Sequence, residues 1–144
     1  MAVQRDNPYA NYNFVVDIGQ GDQVGFSEAE LPAGEIEVIE YREGNDKVSS
    51  ARKLPGRVSY PNVVLERGLA GGMELFEWWK SVRDGSPDRR NVSITLLDEQ
   101  RNPVQRWQLR NAWPAKFHSS PLNALGNEVV IETLELAHEG FDTE

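Results

Sequence analysis

At 144 residues, with 39% apolar and 26% charged side chains, the chain suits one domain with a real core and is not composed like a disordered polymer. A formal charge of −8, from 23 acidic against 15 basic residues with no basic run, argues against a reader of the phosphate backbone. Cysteine is absent, which removes disulfides, thiolate metal sites and cysteine nucleophiles, and no apolar run approaches the ~20 residues a membrane span requires.

Residues 1–12 are polar and lack the apolar core of a secretory signal, so synthesis in the cytoplasm is expected. Residues 12–18 (YNFVVDI) alternate as a first strand, ended by the turn Gly19-Gln20-Gly21-Asp22. Residues 24–30 (VGFSEAE) are expected to return beside it as a hairpin, before Pro32 and Gly34 break the run. In 35–42 (EIEVIEYR), Ile36 and Val38 share one face of a third strand and Glu35 and Glu37 the other. Residues 43–56 (EGNDKVSSARKLPG) hold too few large apolar groups to bury a face of their own. They are either a mobile loop or an arm that orders against a partner.

Residues 57–66 (RVSYPNVVLE) read as an edge or bulged strand, because proline cannot donate to a ladder. The glycine-rich stretch 68–72 then leads into the one convincing helix, within 73–84. Leu75, Trp79 and Val82, widened by Phe76, form its expected apolar stripe, and Asp84-Gly85-Ser86-Pro87 its stop. Residues 91–97 and 104–113 make a hairpin around 98–103, followed by an irregular stretch from Pro114 to Leu125. Residues 127–138 close the fold; the apolar parity changes between Ile131 and Leu134, which predicts a bulge or a strand covered on both faces. Together these make a single mainly β domain (α+β) over 1–144, a two-sheet β-sandwich or barrel with one flanking helix.

Chemistry-bearing groups are sparse. His118, placed in a loop, and His138, near the C-terminus, lack the spacing of a metal site. Glu35, Glu37 and Glu40, and Glu128, Glu132 and Glu135, read as solvated strand faces rather than an acid–base pair. The 68–72 glycines lack the lysine and hydroxyl residue of a phosphate cradle and are followed by Met73 and Glu74. Trp78 and Trp79 are adjacent, so they point to different sides of the helix. Either one packs inside and the other meets a second chain, or both pack within the domain. No cofactor, metal or catalytic set is expected.

Several stretches together resemble the tail tube proteins of contractile-tailed phages and the inner tube proteins of extracellular contractile injection systems. They are NPYANYNFVVDI, the segment ending SSARKLPG, YPNVVLERGLAGGMELFEWWK and NEVVIETLELAHEGF, spanning residues 7–141. The resemblance implies a non-enzymatic subunit with the fold of type VI secretion tube proteins, closing into hexameric rings that stack helically within a contractile sheath. It implies, beside the N-terminal segment 1–11, an extended inter-subunit arm at 43–56. Tyr41, Arg42, Lys47, Val48, Ser49, Ser50, Ala51, Arg52, Lys53 and Leu54 are then expected at a subunit interface, together with Trp78. Implied partners are further copies, the sheath, baseplate initiator and terminal cap proteins, and a luminal cargo of effector protein or DNA. The particle would be built in the bacterial cytoplasm, without a membrane anchor. A tube-initiating paralogue and a monomeric β-barrel for a small ligand are the competing readings.

Overall fold

The computed structural model describes residues 4–19, 21 and 23–144. Gln20 and Asp22 of the first expected turn lie outside the described residues, as do the first three of the chain. The elements are β1 (Phe14–Asp17), β2 (Gln23–Val24), β3 (Glu28–Ala29), β4 (Glu35–Tyr41), β5 (Arg52–Ser59) and β6 (Val63–Gly68). After α1 (Glu74–Arg83) come β7 (Arg90–Leu97), β8 (Pro103–Ser119), β9 (Ile131–Ala137) and β10 (Phe141–Thr143). Eight strands form one sheet in the order β2-β1-β7-β8-β9-β6-β3, with β10 on β8, while β4 and β5 pair with each other.

The 17-residue β8 joins the two halves of the large sheet. Its first part pairs with β7 and β10, and its second, from Trp113 to Ser119, pairs with β9. Between them Asn111 has φ 51, and the register slips between Pro114 and Lys116. Pro114 was expected to end the strand; it sits instead at an irregularity, where its missing N–H is tolerated. Val16 of β1 and Leu65 of β6, far apart in the strand order, join one buried cluster with Ile94, Leu109, Leu134 and Leu136. The sheet therefore folds over on itself in two layers. Of the sandwich and the barrel, the layered form is found: β2 and β3 end the strand order and do not pair.

Several boundaries shift for local reasons. The expected 24–30 strand splits, because Gln23 and Val24 pair with β1 whereas Glu28 and Ala29 pair with β6 in the other half. The 57–66 strand likewise breaks at Pro61-Asn62 into β5 and β6, which belong to different sheets. β9 pairs with β6 without a slip, so the parity change is no bulge there. Glu132 occupies the buried phase with Leu134 and Leu136, and the alternate residues are half-buried.

Helix α1 has Glu74 and Glu77 in its first turn and Lys80 and Arg83 in its last, complementing the helix dipole. It ends at Asp84, where Gly85 (φ 98) takes the left-handed conformation that side chains resist. Leu75 is buried as expected, but its buried companion is Trp78, which the expected stripe left out, whereas Phe76, Trp79 and Val82 are half-buried. Phe76 meets Phe117 of β8 at 6.0 Å between ring centroids, which seats the helix on that strand.

Candidate assembly surface

β4 and β5 form a ribbon apart from the main sheet. The alternation EIEVIEY ordinarily buries one face, yet every residue of β4 is exposed and only Gly56 of β5 is half-buried. Cross-strand partners share a face. Ile39 with Leu54 and Tyr41 with Arg52 lie on one side; Ile36 with Val58, Val38 with Pro55 and Glu40 with Lys53 lie on the other. Both sides thus carry large apolar groups, exposed from 46% (Leu54) to 60% (Val38). Three steps of β5, from Val58 to Pro55, oppose two of β4, from Ile36 to Val38. Gly56 sits in this bulge, where a Cβ would lie 2.9 Å from the Glu37 carbonyl oxygen and 3.0 Å from the Ile39 side chain. Only glycine fits there without moving backbone.

The ribbon tip is folded on itself. Arg42 Nε donates to the Val48 carbonyl at 3.0 Å and Nη2 to the Asp46 carbonyl at 3.1 Å. Asp46 in turn accepts the Glu43 N–H at 2.9 Å, and Tyr41 Oη donates to Glu43 Oε1 at 3.0 Å. Lys47, Val48, Ser49 and Ser50 are exposed and Ala51 is half-buried. Residues 52–56, grouped from sequence with a loop or arm, are strand instead, paired in β5 because the bulge brings them into register with β4. The structure thus brings the expected residues Tyr41 to Leu54 together on one exposed ribbon.

Trp78 does not join them. It is 1% exposed, its Nε1 donates to the Asp88 carbonyl at 2.8 Å, and the Arg90 guanidinium lies 4.6 Å from its ring centroid. A ring so enclosed offers no surface to a second chain, and this corrects its expected interface role. Trp79, beside Phe76 and Arg83, is the half-buried one of the pair.

A second departure concerns Glu132, expected on a solvated face but only 4% exposed. Arg67 Nε donates to its Oε2 at 2.8 Å, and the same guanidinium bonds Glu74 and, at 3.1 Å, the Gly72 carbonyl. One cation thereby ties β9, the glycine-rich joint and the start of α1 together. Its hydrogen bond holds the Glu74 carboxyl below the ordinary glutamate range. Glu135 accepts from Asn62 at 2.9 Å, and Glu128 is exposed.

His118 lies on β8 rather than in a loop, opposite Thr133. His138 is held by backbone: Nε2 lies 3.1 Å from the Pro61 carbonyl and Nδ1 accepts the Gly140 N–H at 3.2 Å. Among the described residues no group of three His, Asp or Glu is placed to hold a metal ion. No helix among them is long and apolar enough to cross a membrane.

The model of the T4-like virus tail tube protein gp19 family matches residues 10–142. The chain belongs to this tail tube family. Among solved structures, a chain of the anti-feeding prophage (AFP) baseplate, symmetrised six-fold by cryo-EM, is 29% identical with a TM-score of 0.88, covering 97% of each chain. A chain of the PVC extracellular contractile injection system, in its extended sheath–tube complex, is 25% identical with a TM-score of 0.84 over 95% of this chain and 91% of that one. Hcp1 from Flavobacterium johnsoniae shares the fold at 13% identity, with a TM-score of 0.54 over 90% of this chain and 93% of that one. No curated protein sequence matches significantly.

In this family member, two further features escaped the sequence reading. β10, whose Phe141 pairs with Leu109, is too short to show alternation. The loop between β8 and β9 exposes Leu122 and Leu125 at 85% and 97%, the first just before and the second within a turn closed by Gly126 N–H to the Asn123 carbonyl. A sequence alone gives such leucines no reason to be outside.

Proposed function

We propose that the chain is the repeating subunit of the hollow inner tube of a contractile injection machine. Copies close into hexameric rings, and rings stack helically inside a sheath. The observation that carries this is the β4–β5 ribbon, apolar on both sides and, among the described residues, paired with no other strand. In water such a surface is a liability, so an assembly that covers both sides accounts for it. Family membership and the likeness to a chain of a sheath–tube complex support the same reading. A contact that closes a ring without two-fold symmetry needs two different patches on each subunit, and the ribbon is one of them.

The subunit works by shape and does no bond chemistry. Its partners are other copies, a surrounding sheath, baseplate and cap proteins, and a cargo in the lumen. It is built in the bacterial cytoplasm and carried in a phage-tail-like particle. Likeness to chains of the AFP baseplate and of the AFP tube-terminating cap favours a second reading, a paralogue that starts or ends the tube. Negative-stain microscopy and sedimentation of the purified protein test both. Long hollow filaments from this chain alone support the main subunit, and isolated rings the paralogue. A 16.3 kDa monomer at every concentration removes both.

A further inference from the structure

The large sheet folds over without closing, and its open side has a defined shape. β2 pairs with only Val16 and Asp17 of β1, leaving the Phe14 end of that strand, among the described residues, without a paired strand on that side. β3, at the other end of the strand order, lies across from it. Between them runs a groove of about 550 Å³ walled by Tyr12, Phe14, Leu31, Leu96 and Trp107, with the exposed Glu28 also on its wall. The groove therefore offers an aromatic floor, a strand end unpaired on one side and a carboxylate, and none of the described residues fills it.

Resting on the tube reading above, we propose that this groove receives the ribbon of the next copy, through the side bearing Ile39, Leu54, Tyr41 and Arg52. The chemistry matches at each point. Ile39, Leu54 and Tyr41 are a contiguous apolar set roughly half exposed, suited to an aromatic floor. Arg52 is only loosely engaged, 3.6 Å from Asp46, with 64% of its side chain exposed, and can turn to Glu28. β5 carries Arg52, Lys53 and Arg57 and no acid, whereas the chain as a whole is −8, so another copy of it is an electrostatically favourable partner. The free edges of the ribbon can pair with a strand end that lacks a neighbour.

Docking must occur between copies. Leu31 precedes β4 by four residues, and β4 then runs extended, so Ile39 and Tyr41 stand roughly 13–20 Å beyond its start. In its own chain the ribbon stands clear of the groove, none of whose lining residues belongs to β4 or β5. Ribbon and groove are different surfaces, so the contact runs head to tail and propagates from copy to copy.

Because the chain has no cysteine, engineered pairs report this contact cleanly. Leu54→Cys combined with Leu31→Cys, oxidised after assembly, should give a ladder of covalent multimers on a non-reducing gel. Either single variant can stop at a dimer at most. Leu54→Cys with Leu122→Cys is the control and should give no ladder. In a second arm, Glu28→Lys and Arg52→Glu each raise the concentration needed for assembly about tenfold, and the double reversal restores it. Rings or filaments without the Leu31 ladder, a ladder from the Leu122 pair instead, or no recovery in the double reversal each overturn the groove assignment and leave the tube reading standing. A wild-type protein monomeric at all concentrations overturns both.

Discussion

Replacing Glu132 by leucine tests whether the buried cation network holds the fold together. Leucine suits the apolar phase set by Leu134 and Leu136, so packing alone predicts a mild effect. The electrostatic account predicts otherwise, because Arg67, with its side chain only 11% exposed, would lose a partner 2.8 Å away. Removing one member of a buried pair costs about 3–5 kcal/mol. Glu74 and the Gly72 carbonyl still bond the guanidinium, and Glu74 is partly in water, so the cost falls at or below the bottom of that range, about 2–3 kcal/mol. For a chain of this size that corresponds to a fall in Tm of about 10 °C. Urea unfolding of unassembled protein, followed by tryptophan fluorescence, measures it. The double variant Arg67→Met/Glu132→Leu, which removes both charges, should return to within about 1 kcal/mol of wild type. A Glu132→Leu protein within about 0.5 kcal/mol of the parent would refute the reasoning, as would a double variant as unstable as the two singles summed.

Three other outcomes follow from the same geometry. The folded carboxyl of Glu74 titrates below its unfolded value, so its contribution is present above about pH 4.5 and disappears as pH falls through the lower folded value. Glu74→Gln should therefore be less stable than wild type by about 0.5 kcal/mol at pH 7 and equal to it once the pH lies below that folded value, as read by thermal melts across pH. Trp78→Ala should cost about 3–5 kcal/mol and Trp79→Ala less than about half of that, because only Trp78 is enclosed; chemical denaturation distinguishes them. Gly56→Ala should leave the Tm of the body within about 2 °C of wild type, since its clash is confined to the ribbon, while sedimentation shows assembly weakened.

Local patterns foretold the parts of the fold that depend on near neighbours. The hairpin of β7 and β8 is announced by its alternation and by Asp98, whose Oδ1 accepts the N–H of Gln100 at 2.9 Å and of Asn102 at 2.8 Å. The helix is announced by its stripe and its charge order. Choosing between Trp78 and Trp79 was beyond that reasoning, since both adjoin Leu75 on the helix surface and the Asp88 carbonyl decides between them. Glu132 was misplaced because its partner stands 65 residues away, a separation no periodicity reveals. The extension of β8 past Pro114 was hidden because an irregular register accommodates a residue that normally ends a ladder. In the ribbon the strand β4 was legible, whereas β5 was read partly as a loop. Its own composition is polar and basic, and its pairing depends on one glycine bulge.

A thin hairpin standing apart from the core has a kinetic consequence. Two strands alone are marginally stable in water, so a free subunit gains little from holding them in shape. In the proposed tube the first copies to meet must order their hairpins on one another with no template, which would make initiation slow. A newcomer at a growing end meets neighbours already set. Elongation then outruns initiation, and a solution of this protein should pass through a lag that a small amount of preformed seed abolishes.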